Sequence, residues 1–391
     1  MYPMNSINVP GIPLWMKVPQ GVFALERYPI RRNERLQAWD AADEFLLKHI
    51  GDVGGNVLIV NDSAGALSTA LAVHHPSMLS DSYLAHAATR ENLLRNAIDI
   101  SAVRLIRSFD PLPALIDIVL MKVPKSLALL EDQLHRIAPA IQTSTVFVAA
   151  AMAKHIHTST LELFENIVGP TRTSLAEKKA RLVFCTPDPV RQRPPNPWPK
   201  KYAIASSGYV VTSHAGVFSS THLDAGTGFL LEHLPHRAGP LRVVDLGCGN
   251  GVLGMWFAIN NPEADVTFID ESYRAVASAE ATFRANLGPE RAARFAVGNN
   301  MFDLDGAPLS KGSVDLVLNN PPFHDNHAIG DATAWEMFSE SREALRPNGE
   351  LWAVGNRHLA YHAKLKRLFG NCEVVASNAG FVVLRAVKSR S

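Results

Sequence analysis

The sequence predicts an α/β protein with two tandem doubly wound sheets, and three observations support this. An apolar run from Leu241 stops at Asp245, glycines follow at alternate positions, and an apolar stretch with helical spacing then begins. A strand, a glycine turn and a helix in this order are typical of the first unit of a doubly wound sheet, in which a ligand lies over the carboxyl ends of the strands. Similar signals occur in the first half of the chain, and a proline-rich stretch separates the halves.

Composition narrows the possible functions. The 391 residues suffice for two domains, and 47% hydrophobic with 19% charged residues is ordinary for a globular protein. The formal net charge is +1, so a nucleic-acid surface would have to be a local basic patch. Three widely separated cysteines favour a reducing, cytoplasmic compartment, and no Cys/His spacing indicates a metal site. The sequence has no signal peptide and no long apolar run, so we expect no membrane partner. We also expect a monomer.

Along the chain, the first 35 residues predict no clear element, and helical spacing then runs from Leu36 to Ile50. A strand, a turn and a helix follow in GGNVLIVNDSAGALSTALA, and further helix and strand signals occupy residues 81–98, 114–121 and 146–152. Six prolines between Thr186 and Lys200 disfavour both helix and sheet, and so indicate a stiff linker. We therefore predict a first domain over residues 1–186, a linker over 187–200 and a second domain over 201–391.

The two predicted domains look like copies of one another. GALSTALA matches GVLGMWFA, and IDIVLMKVP matches VDLVLNNPP. The first copy has different residues at the polar and glycine positions: Ile59, Asn61 and Ser63 replace Asp245, Gly247 and Gly249, and Lys122 and Lys125 replace Asn320 and Phe323. This pattern predicts a duplicated fold whose first copy is degenerate, keeping its core and losing its ligand site. The alternative is that any two doubly wound domains share this much.

The spacing D-x-G-x-G-x-G, formed by Asp245, Gly247, Gly249 and Gly251, separates two ligand classes. A dinucleotide fingerprint reads GxGxxG and holds a pyrophosphate at the helix N-terminus. A carboxylate at the position of Asp245 would repel a pyrophosphate but can hold an ammonium group. The pattern resembles the S-adenosylmethionine motif of class I methyltransferases. A glycine-rich turn of some other α/β protein is the alternative.

The next two strand ends supply further candidate cofactor ligands. A strand over residues 266–269 ends in Asp270, and an acid at the end of the second strand can accept both ribose hydroxyls. The third strand ends at Asn299 and Asn300, where related enzymes often have an aspartate that binds the adenine amino group. Either asparagine can accept that bond through its amide oxygen, and the sequence leaves the choice open.

A fourth strand ends in Asn320-Pro321-Pro322-Phe323, which resembles the [D/N/S]PP[F/Y/W] signature of methyltransferases that act on planar exocyclic nitrogens. The side-chain oxygen of Asn320 and the carbonyl oxygen of Pro321 can hold both hydrogens of an amino group and orient its lone pair. Phe323 offers a ring on which a base can stack. The alternative is a proline turn that merely ends a strand.

The segment before the glycine turn, HAGVFSSTHLDAGTGFLLEHL, resembles the corresponding segment of guanine-N2 methyltransferases of ribosomal RNA. The resemblance implies that Phe218, Asp224 and Gly226 lie near the cofactor. His222 is interpreted as a turn residue rather than a catalytic base. A surface turn that leads into a capped helix is the alternative for this segment.

Over nearly its full length the chain resembles the bacterial ribosomal RNA large subunit methyltransferase G type. The matching stretches are LQAWDAADEFLL, NPPFHDNHA, AWEMF, NGELW, NRHL and FVVLRAV. The resemblance implies two class I methyltransferase-like (Rossmann-like) domains, S-adenosyl-L-methionine as cofactor, and a guanine N2 of 23S ribosomal RNA as the site methylated. It also implies RNA binding by the first domain. The related C type, which acts on the 16S ribosomal RNA of the small subunit, shares the duplicated architecture.

Two other functions stay open at this point. An amide nitrogen is also planar, so the same turn would suit methylation of a protein glutamine, whereas the first domain alone would suit an RNA-binding scaffold. Basic residues near the domain edges are candidate phosphate contacts. They are Arg27, Arg31, Arg32, Arg35, Lys178, Lys179, Arg181, Arg191, Arg193, Lys200 and Lys201, and later Arg357, His358, Lys364, Lys366 and Arg367.

Overall fold

The computed structural model describes residues 14–30, 34, 36–205, 207–322 and 327–390, with the backbone alone for residues 327–331. The chain forms two compact units, Met1–Pro197 and Trp198–Ser391. Within the described residues, none of the helices has the length and apolar character needed to cross a bilayer.

The first unit begins with a hairpin and continues with alternating strands and helices. Its strands are β1 (Trp15–Val18), β2 (Gly21–Ala24), β3 (Val57–Val60), β4 (Ser77–Leu79), β5 (Arg104–Ile106), β6 (Ile118–Lys122), β7 (Val146–Met152), β8 (Thr171–Thr173) and β9 (Ala180–Cys185). Its helices are α1 (Ala41–Ile50), α2 (Ala66–Ala70), α3 (Tyr83–Arg95), α4 (Leu127–Ile137) and α5 (Thr158–Ile167). Seven strands form a sheet in the order β5-β4-β3-β6-β7-β9-β8, in which only the contacts of β9 are antiparallel.

The second unit repeats this architecture. Its strands are β10 (Lys200–Ala203), β11 (Val210–Ser213), β12 (Leu241–Leu246), β13 (Ala264–Asp270), β14 (Arg294–Asn300), β15 (Asp303–Leu304), β16 (Val314–Asn319), β17 (Leu345–Asn356), β18 (Glu373–Ser377) and β19 (Phe381–Val387). Its helices are α6 (Ala225–Leu231), α7 (Val252–Asn260), α8 (Tyr273–Leu287), α9 (His327–Ala344) and α10 (Tyr361–Phe369). The sheet order is β15-β14-β13-β12-β16-β17-β19-β18, so apart from β15 each strand has a counterpart in the first unit.

Both sheets are buried on both faces. Successive residues of a strand point to opposite sides of a sheet. In β3, Val57 packs into one hydrophobic cluster and Leu58 into another. In β12, Val243 likewise packs into one hydrophobic cluster and Val244 into another. This confirms the prediction of two doubly wound α/β sheets.

The repeat extends to the hairpins, where the sequence indicated no element before residue 36. Asn96, just after α3, accepts a hydrogen bond from the amide of Ala24 at 2.8 Å and donates one to its carbonyl at 2.8 Å. Asn286, near the end of α8, makes the same two bonds to Val210 at 2.9 and 2.7 Å. An asparagine side chain thus fastens each hairpin to the equivalent helix.

Some predicted boundaries differ from the observed ones. The helix predicted from Leu36 begins at Ala41, because the side chain of Asp40 accepts hydrogen bonds from the first amides and so caps the helix there. Lys200, the last residue of the predicted linker, already lies in β10.

In each unit, a left-handed glycine precedes the helix that follows the first strand of the large sheet. Gly65 and Gly251 have φ values of 74° and 77°. A Cβ on Gly65 would lie 2.6 Å from Cα of Thr89 in α3, and one on Gly251 would lie 2.7 Å from Cα of Ala279 in α8. Glycine is therefore required both by the backbone conformation and by the close approach of the following helix.

We expect Gly251→Ala to lower the free energy of unfolding of the second unit by about 2–4 kcal/mol, because left-handed strain adds to overlap with α8. Gly370→Ala is the matched control: Gly370 has a φ of 82°, but nothing lies within 4 Å of the added Cβ. Strain alone should cost about 1–2 kcal/mol there. Equilibrium urea unfolding measures both losses, and equal losses would contradict the role of the helix contact.

Candidate active site

Three left-handed glycines join β12 to α7 at the carboxyl edge of the second sheet. Gly247, Gly249 and Gly251 have φ values of 68°, 53° and 77°. The amides of Gly247 and Cys248 donate to the carbonyl of Ile269 at 2.8 and 3.0 Å. These bonds fasten the glycine turn to the neighbouring strand β13.

The three glycines meet different constraints. A Cβ on Gly247 would lie 2.9 Å from Cε of Met337, and Gly251 packs against Ala279. Nothing lies within 4 Å of a Cβ added to Gly249. Gly249 is therefore the position where the backbone of the turn faces open space that a ligand can approach closely.

Asp245 is a fully buried carboxyl group with one unsatisfied oxygen. Its Oδ2 accepts a hydrogen bond from the amide of Gly254 at 2.8 Å, whereas its Oδ1 has no partner. Burial raises the pKa of Asp245 to about 8. An unpaired buried polar atom costs about 1–3 kcal/mol, so Oδ1 marks a position that a ligand, and a cation above all, would stabilise.

The first unit caps the equivalent helix with a different carboxylate. Ile59 occupies the position of Asp245, and Asp62 accepts hydrogen bonds from the amides of Ala66 and Ser68 at 2.9 and 2.8 Å. The hydroxyl of Ser68 donates to the same carboxylate at 2.8 Å. Both oxygens of Asp62 are satisfied within the protein, so capping a helix does not by itself explain the free oxygen of Asp245.

Asp270 lies at the end of β13 beside the glycine turn. Its two oxygens accept hydrogen bonds from the amides of Gly249 and Ser272, each at 3.0 Å. Burial raises the pKa of this carboxyl group. The amide of Glu271 also hydrogen-bonds to this carboxylate, so three of its four lone-pair positions are used and one remains for a ligand.

The two asparagines at the end of β14 are not equivalent. Oδ1 of Asn300 accepts a hydrogen bond from the amide of Phe302 at 2.8 Å, which closes the turn into β15. The sequence left Asn299 and Asn300 as alternatives for the contact with the adenine amino group. The amide oxygen of Asn300 already accepts this bond, and Asn299 is the other candidate.

The segment before α6 reaches the glycine turn through Asn250. Nδ2 of Asn250 donates to Oγ of Ser213 and to the carbonyl of Ser219, both at 3.2 Å. Phe218 lies in this segment with 51% of its surface exposed. The sequence did not single out Asn250, although it lies inside the glycine motif.

Asp224 and Gly226 form the first turn of α6. Oδ2 of Asp224 accepts hydrogen bonds from the amide and the hydroxyl of Thr227 at 2.8 and 3.1 Å. A Cβ on Gly226 would lie 3.0 Å from the ring of Phe381, so close packing requires glycine there.

Two adjacent asparagines end β16. Nδ2 of Asn319 donates to the carbonyl of Leu246 at 2.8 Å, and Nδ2 of Asn320 donates to Oγ1 of Thr227 at 2.9 Å. Oδ1 of each asparagine is buried without a partner. Oδ1 of Asp245 and Oδ1 of Asn320 lie on the face of the sheet that α6 and α7 cover, and we call these two atoms the acceptor cluster. Asn319 points to the opposite face, where its Nδ2 also contacts Sδ of Met337 in α9.

The proline turn is described only in part. Pro321 is buried directly after Asn320, whereas Phe323 lies outside the described residues. Stacking of a base on Phe323 therefore stays a prediction.

The parallel register of three strands brings these groups to one edge of the sheet. Leu246 of β12 pairs with Ile269 of β13 on one side and with Asn319 of β16 on the other. Asp245, Asp270 and Asn320 each lie within one residue of this row. Across the described part of the chain, no group of His, Cys, Asp and Glu side chains is arranged to hold a metal ion.

Thr227 and Asn319 are the other site residues that sequence reasoning missed. The D-x-x-T spacing from Asp224 to Thr227 is that of a helix cap and was a usable signal. The contact between Thr227 and Asn320 had no local signal, because the two residues lie in different elements.

The first unit fills the equivalent positions with an ion pair. WDAADEFLL of the first unit matches LDAGTGFLL of the second, so the counterparts of Asp224, Thr227 and Asn320 are Asp40, Asp43 and Lys122. Nζ of Lys122 lies 2.6 Å from Asp40 and 2.9 Å from Asp43. Burial alone would lower the pKa of Lys122, but the charges of Asp43 and Asp40 outweigh it and raise that pKa. A lysine ammonium has no acceptor, so no counterpart of the free Asn320 oxygen exists here.

The predicted phosphate contacts include residues that are engaged within the protein. Lys178 pairs with Glu44 at 2.7 Å, and Arg193 donates to the carbonyl of Ile167 at 2.9 Å. Arg31, Arg32 and Arg35 lie outside the described residues. Arg193 therefore has a structural role that its position in a basic stretch did not indicate.

The chain is similar to known proteins along both units. Residues 15–189 match the model of the RLMG N-terminal domain, and residues 208–385 match the model of the methyltransferase small domain. A relative in Streptomyces avermitilis, named ribosomal RNA large subunit methyltransferase G, is 58% identical over 95% of this chain and 99% of its own length. A relative of the same name in Aeromonas salmonicida is 48% identical over 94% of this chain and 97% of its own length.

A solved structure has the same overall fold. It is a T. thermophilus 16S rRNA N2 methyltransferase in complex with AdoMet and guanosine. The TM-score is 0.73 at 21% sequence identity, and the match covers 96% of this chain and 97% of the other.

We expect Lys122→Met to lower the free energy of unfolding of the first unit by about 3 kcal/mol, because it leaves the buried carboxylate of Asp43 without its cation. The loss should shrink as the pH falls towards about 6, because burial raises the pKa of Asp43 to about 6 even beside Lys122, the variant raises it further, and the neutral acid needs no cation. Lys48→Met, which breaks an exposed pair with Glu177, is the control and should cost less than about 1 kcal/mol. Urea unfolding at two pH values tests this, and equal losses for both variants would show that the buried pair has no special weight.

Proposed function

The chain belongs to the ribosomal RNA large subunit methyltransferase G family, and from that premise we propose that it methylates the exocyclic N2 of one guanine in 23S ribosomal RNA with S-adenosylmethionine. The observation that carries the proposal is the acceptor cluster, two buried Oδ1 atoms without partners at the ends of two neighbouring strands. Unpaired buried acceptors are stabilised by ligands that bring positive charge or N–H groups. A cationic cofactor and an amino group are two such ligands.

The ends of β12, β13 and β14 fit the cofactor. Asp245 supplies a buried carboxylate to compensate its positive charge, and Asp270 keeps one acceptor position for a ribose hydroxyl beside the amides that it already accepts from. Gly249 leaves open space for close approach. Because Oδ1 of Asn300 already accepts one hydrogen bond and keeps a single lone pair, we assign the contact with the adenine amino group to Asn299. When bound, the cofactor supplies an electrophilic methyl group.

Asn320 and Pro321 orient the target amine. A guanine amino group is a poor nucleophile because its lone pair is delocalised into the ring. Oδ1 of Asn320 and the carbonyl oxygen of Pro321 accept its two hydrogens, which directs the nitrogen lone pair out of the ring plane and towards the methyl group. Proline lacks an N–H, so Pro321 presents only an acceptor. We keep the prediction that the base stacks on Phe323.

The same acceptors stabilise the charge that develops during transfer. The target nitrogen becomes more positive as the new bond forms, and a fixed amide oxygen such as Oδ1 of Asn320 stabilises its hydrogens at that stage. An amide oxygen does not take up the proton, so the proton leaves to water. The reaction therefore requires no side chain of strongly raised basicity.

Binding of RNA is assigned chiefly to the first unit. Lys125, Lys154, His155 and His157 follow β6 and β7 at the carboxyl edge of the first sheet. Besides burial, the positive charges of Lys154 and Lys125 lower the pKa of His155, as expected of neighbouring cations. The two lysines of this group, Lys125 and Lys154, are cations that can bind phosphates without reading sequence. The ion pair of Lys122 meanwhile occupies the position where the second unit has its free acceptor.

The first prediction for this function concerns the proton on Asp245. With a pKa of about 8 the free carboxyl group is mainly protonated at pH 7, and a bound cation lowers that pKa, so cofactor binding should release up to one proton. Affinity should consequently rise with pH up to about 8. Calorimetry in buffers of different ionisation enthalpy measures the release.

Two variants complete that experiment. Asp245→Asn should abolish the proton release and weaken binding by about 1.5–3 kcal/mol, the worth of a hydrogen bond to a charged group. Asp265→Asn, which changes an exposed carboxylate on the neighbouring strand β13, should leave both quantities unchanged. Undiminished proton release by Asp245→Asn would mean that another group titrates.

The second prediction tests the function itself. Purified protein and labelled S-adenosylmethionine are incubated with unmodified 23S RNA, 16S RNA and total protein, and the methylated nucleotide or residue is mapped by mass spectrometry. We expect label on a guanine N2 of 23S RNA. Label confined to 16S RNA or to a protein glutamine would replace the proposal with the corresponding alternative.

Asn320→Ala should lower the single-turnover rate of that transfer by about 100-fold or more, because the amine loses one of its two acceptors. Affinity for the cofactor and for RNA should barely change, since other residues hold them. Asn378→Ala, an exposed asparagine between β18 and β19, serves as the control. A near-normal rate in Asn320→Ala would show that the proline turn is only structural.

A further inference from the structure

A chain of three hydrogen-bonding groups leads from the start of α6 to the proline turn. Oδ2 of Asp224 is 2.8 Å from the amide nitrogen of Thr227 and 3.1 Å from its Oγ1. The same Oγ1 is 2.9 Å from Nδ2 of Asn320. Thr227 is buried, with 8% of its surface exposed.

The direction of every bond in this chain is determined by chemistry. An ionised carboxylate only accepts, so the single hydroxyl hydrogen of Thr227 is donated to Asp224. The oxygen of that hydroxyl can then only accept from Asn320. The amide of Asn320 must therefore direct its NH₂ group to Thr227 and leave Oδ1 as its free atom.

This orientation matters because the two ends of an amide have nearly the same shape. If the amide of Asn320 were rotated by half a turn, its NH₂ group would face the target amine, and two donors would meet. The acceptor that Thr227 presents favours one of these two orientations over the other. The hydroxyl thus distinguishes a productive site from an unproductive one of almost identical volume.

The first unit shows that the contact between these positions does not require this chemistry. There Asp40, Asp43 and Lys122 make the equivalent contact as an ion pair, and the ammonium group of Lys122 leaves no free acceptor. The fold therefore brings the start of the helix and the end of the strand together in both units. Only in the second unit do the residues in contact leave a hydrogen-bond acceptor, Oδ1 of Asn320, without a partner.

We propose that Thr227 is a positioning residue, whose hydroxyl holds Nδ2 of Asn320 so that Oδ1 is the atom presented to the target amine. This inference rests on the proposed function, because it assigns Asn320 to orienting that amine. Thr227 itself does not contact the reacting atoms.

The experiment compares three variants of the full chain. Thr227→Val keeps the shape and removes the hydroxyl, Thr227→Ala removes it without a second branch, and Thr227→Ser retains it. We expect single-turnover transfer to fall about 10- to 100-fold in Thr227→Val and Thr227→Ala, as for a misplaced reacting group, and to stay within about threefold in Thr227→Ser. The dissociation constant of the cofactor should change by less than about twofold in all three.

A double-mutant cycle separates positioning from a general structural effect. If Thr227 acts through Asn320, then Thr227→Val should cause no further loss of rate in a chain that already carries Asn320→Ala. A loss of the same factor in both backgrounds, or a normal rate in Thr227→Val alone, would overturn the inference.

A measurement without RNA keeps the inference separate from the proposed function. The side-chain NH₂ signals of Asn320, identified in ¹⁵N spectra by their loss in Asn320→Ala, should exchange slowly with water in the wild type and in Thr227→Ser, and rapidly in Thr227→Val. Fast exchange in the wild type would refute the hydrogen bond. If the wild type shows slow exchange but methylates a substrate other than guanine in 23S RNA, the proposed function fails, and the cycle is measured on that substrate.

Discussion

In each unit, the helix that follows the first strand of the large sheet begins at a left-handed glycine that lies directly against the next helix. Gly65 and Gly251 occupy that position, and a Cβ on either would lie less than 3 Å from the backbone of α3 or α8. The rest of the turn is less constrained. Asn61 has a φ of 63° where the second unit has Gly247 at 68°, since asparagine tolerates the left-handed region. The packing glycine is thus retained in both units, whereas the glycines that open the turn to a ligand are found in one.

The helix after that turn needs a carboxylate in both units, and where the carboxylate lies decides whether a ligand site exists. In the first unit Asp62 comes from the turn, and both its oxygens are satisfied by the helix and Ser68. In the second unit Asp245 comes from the strand, and one oxygen stays buried without a partner. A site can therefore be lost without loss of the fold, because the capping bond and the ligand acceptor are separate atoms of one group. The pKa of Asp245 is raised because its carboxyl group is buried, and a buried carboxylate with an unpaired oxygen is costly to ionise.

In the first unit the start of α1 contacts the end of β6, and in the second the start of α6 contacts the end of β16. This contact connects the architecture to the chemistry. The fold imposes this contact in both units, and the residue types decide what it does. Lys122 between two carboxylates makes a closed ionic contact, whereas Asn320 against Thr227 leaves its oxygen free. The free oxygen of Asn320, which we propose as the acceptor for the target amine, is therefore oriented by a helix cap, and the polarity of that cap originates in the charge of Asp224.

The sequence by itself determined the two doubly wound sheets, the repeat, the glycine turn and the proline turn. These are carried by local periodicity and by glycine and proline, whose backbone limits act within a few residues. Tertiary structure alone decided which glycine packs and which faces open space, that Phe302 engages Asn300, and that Thr227 meets Asn320. Each of these features depends on which residues strand register brings together and on the direction of the hydrogen bonds between them. The spacing of residues along the chain encodes neither the contacts nor the bond directions.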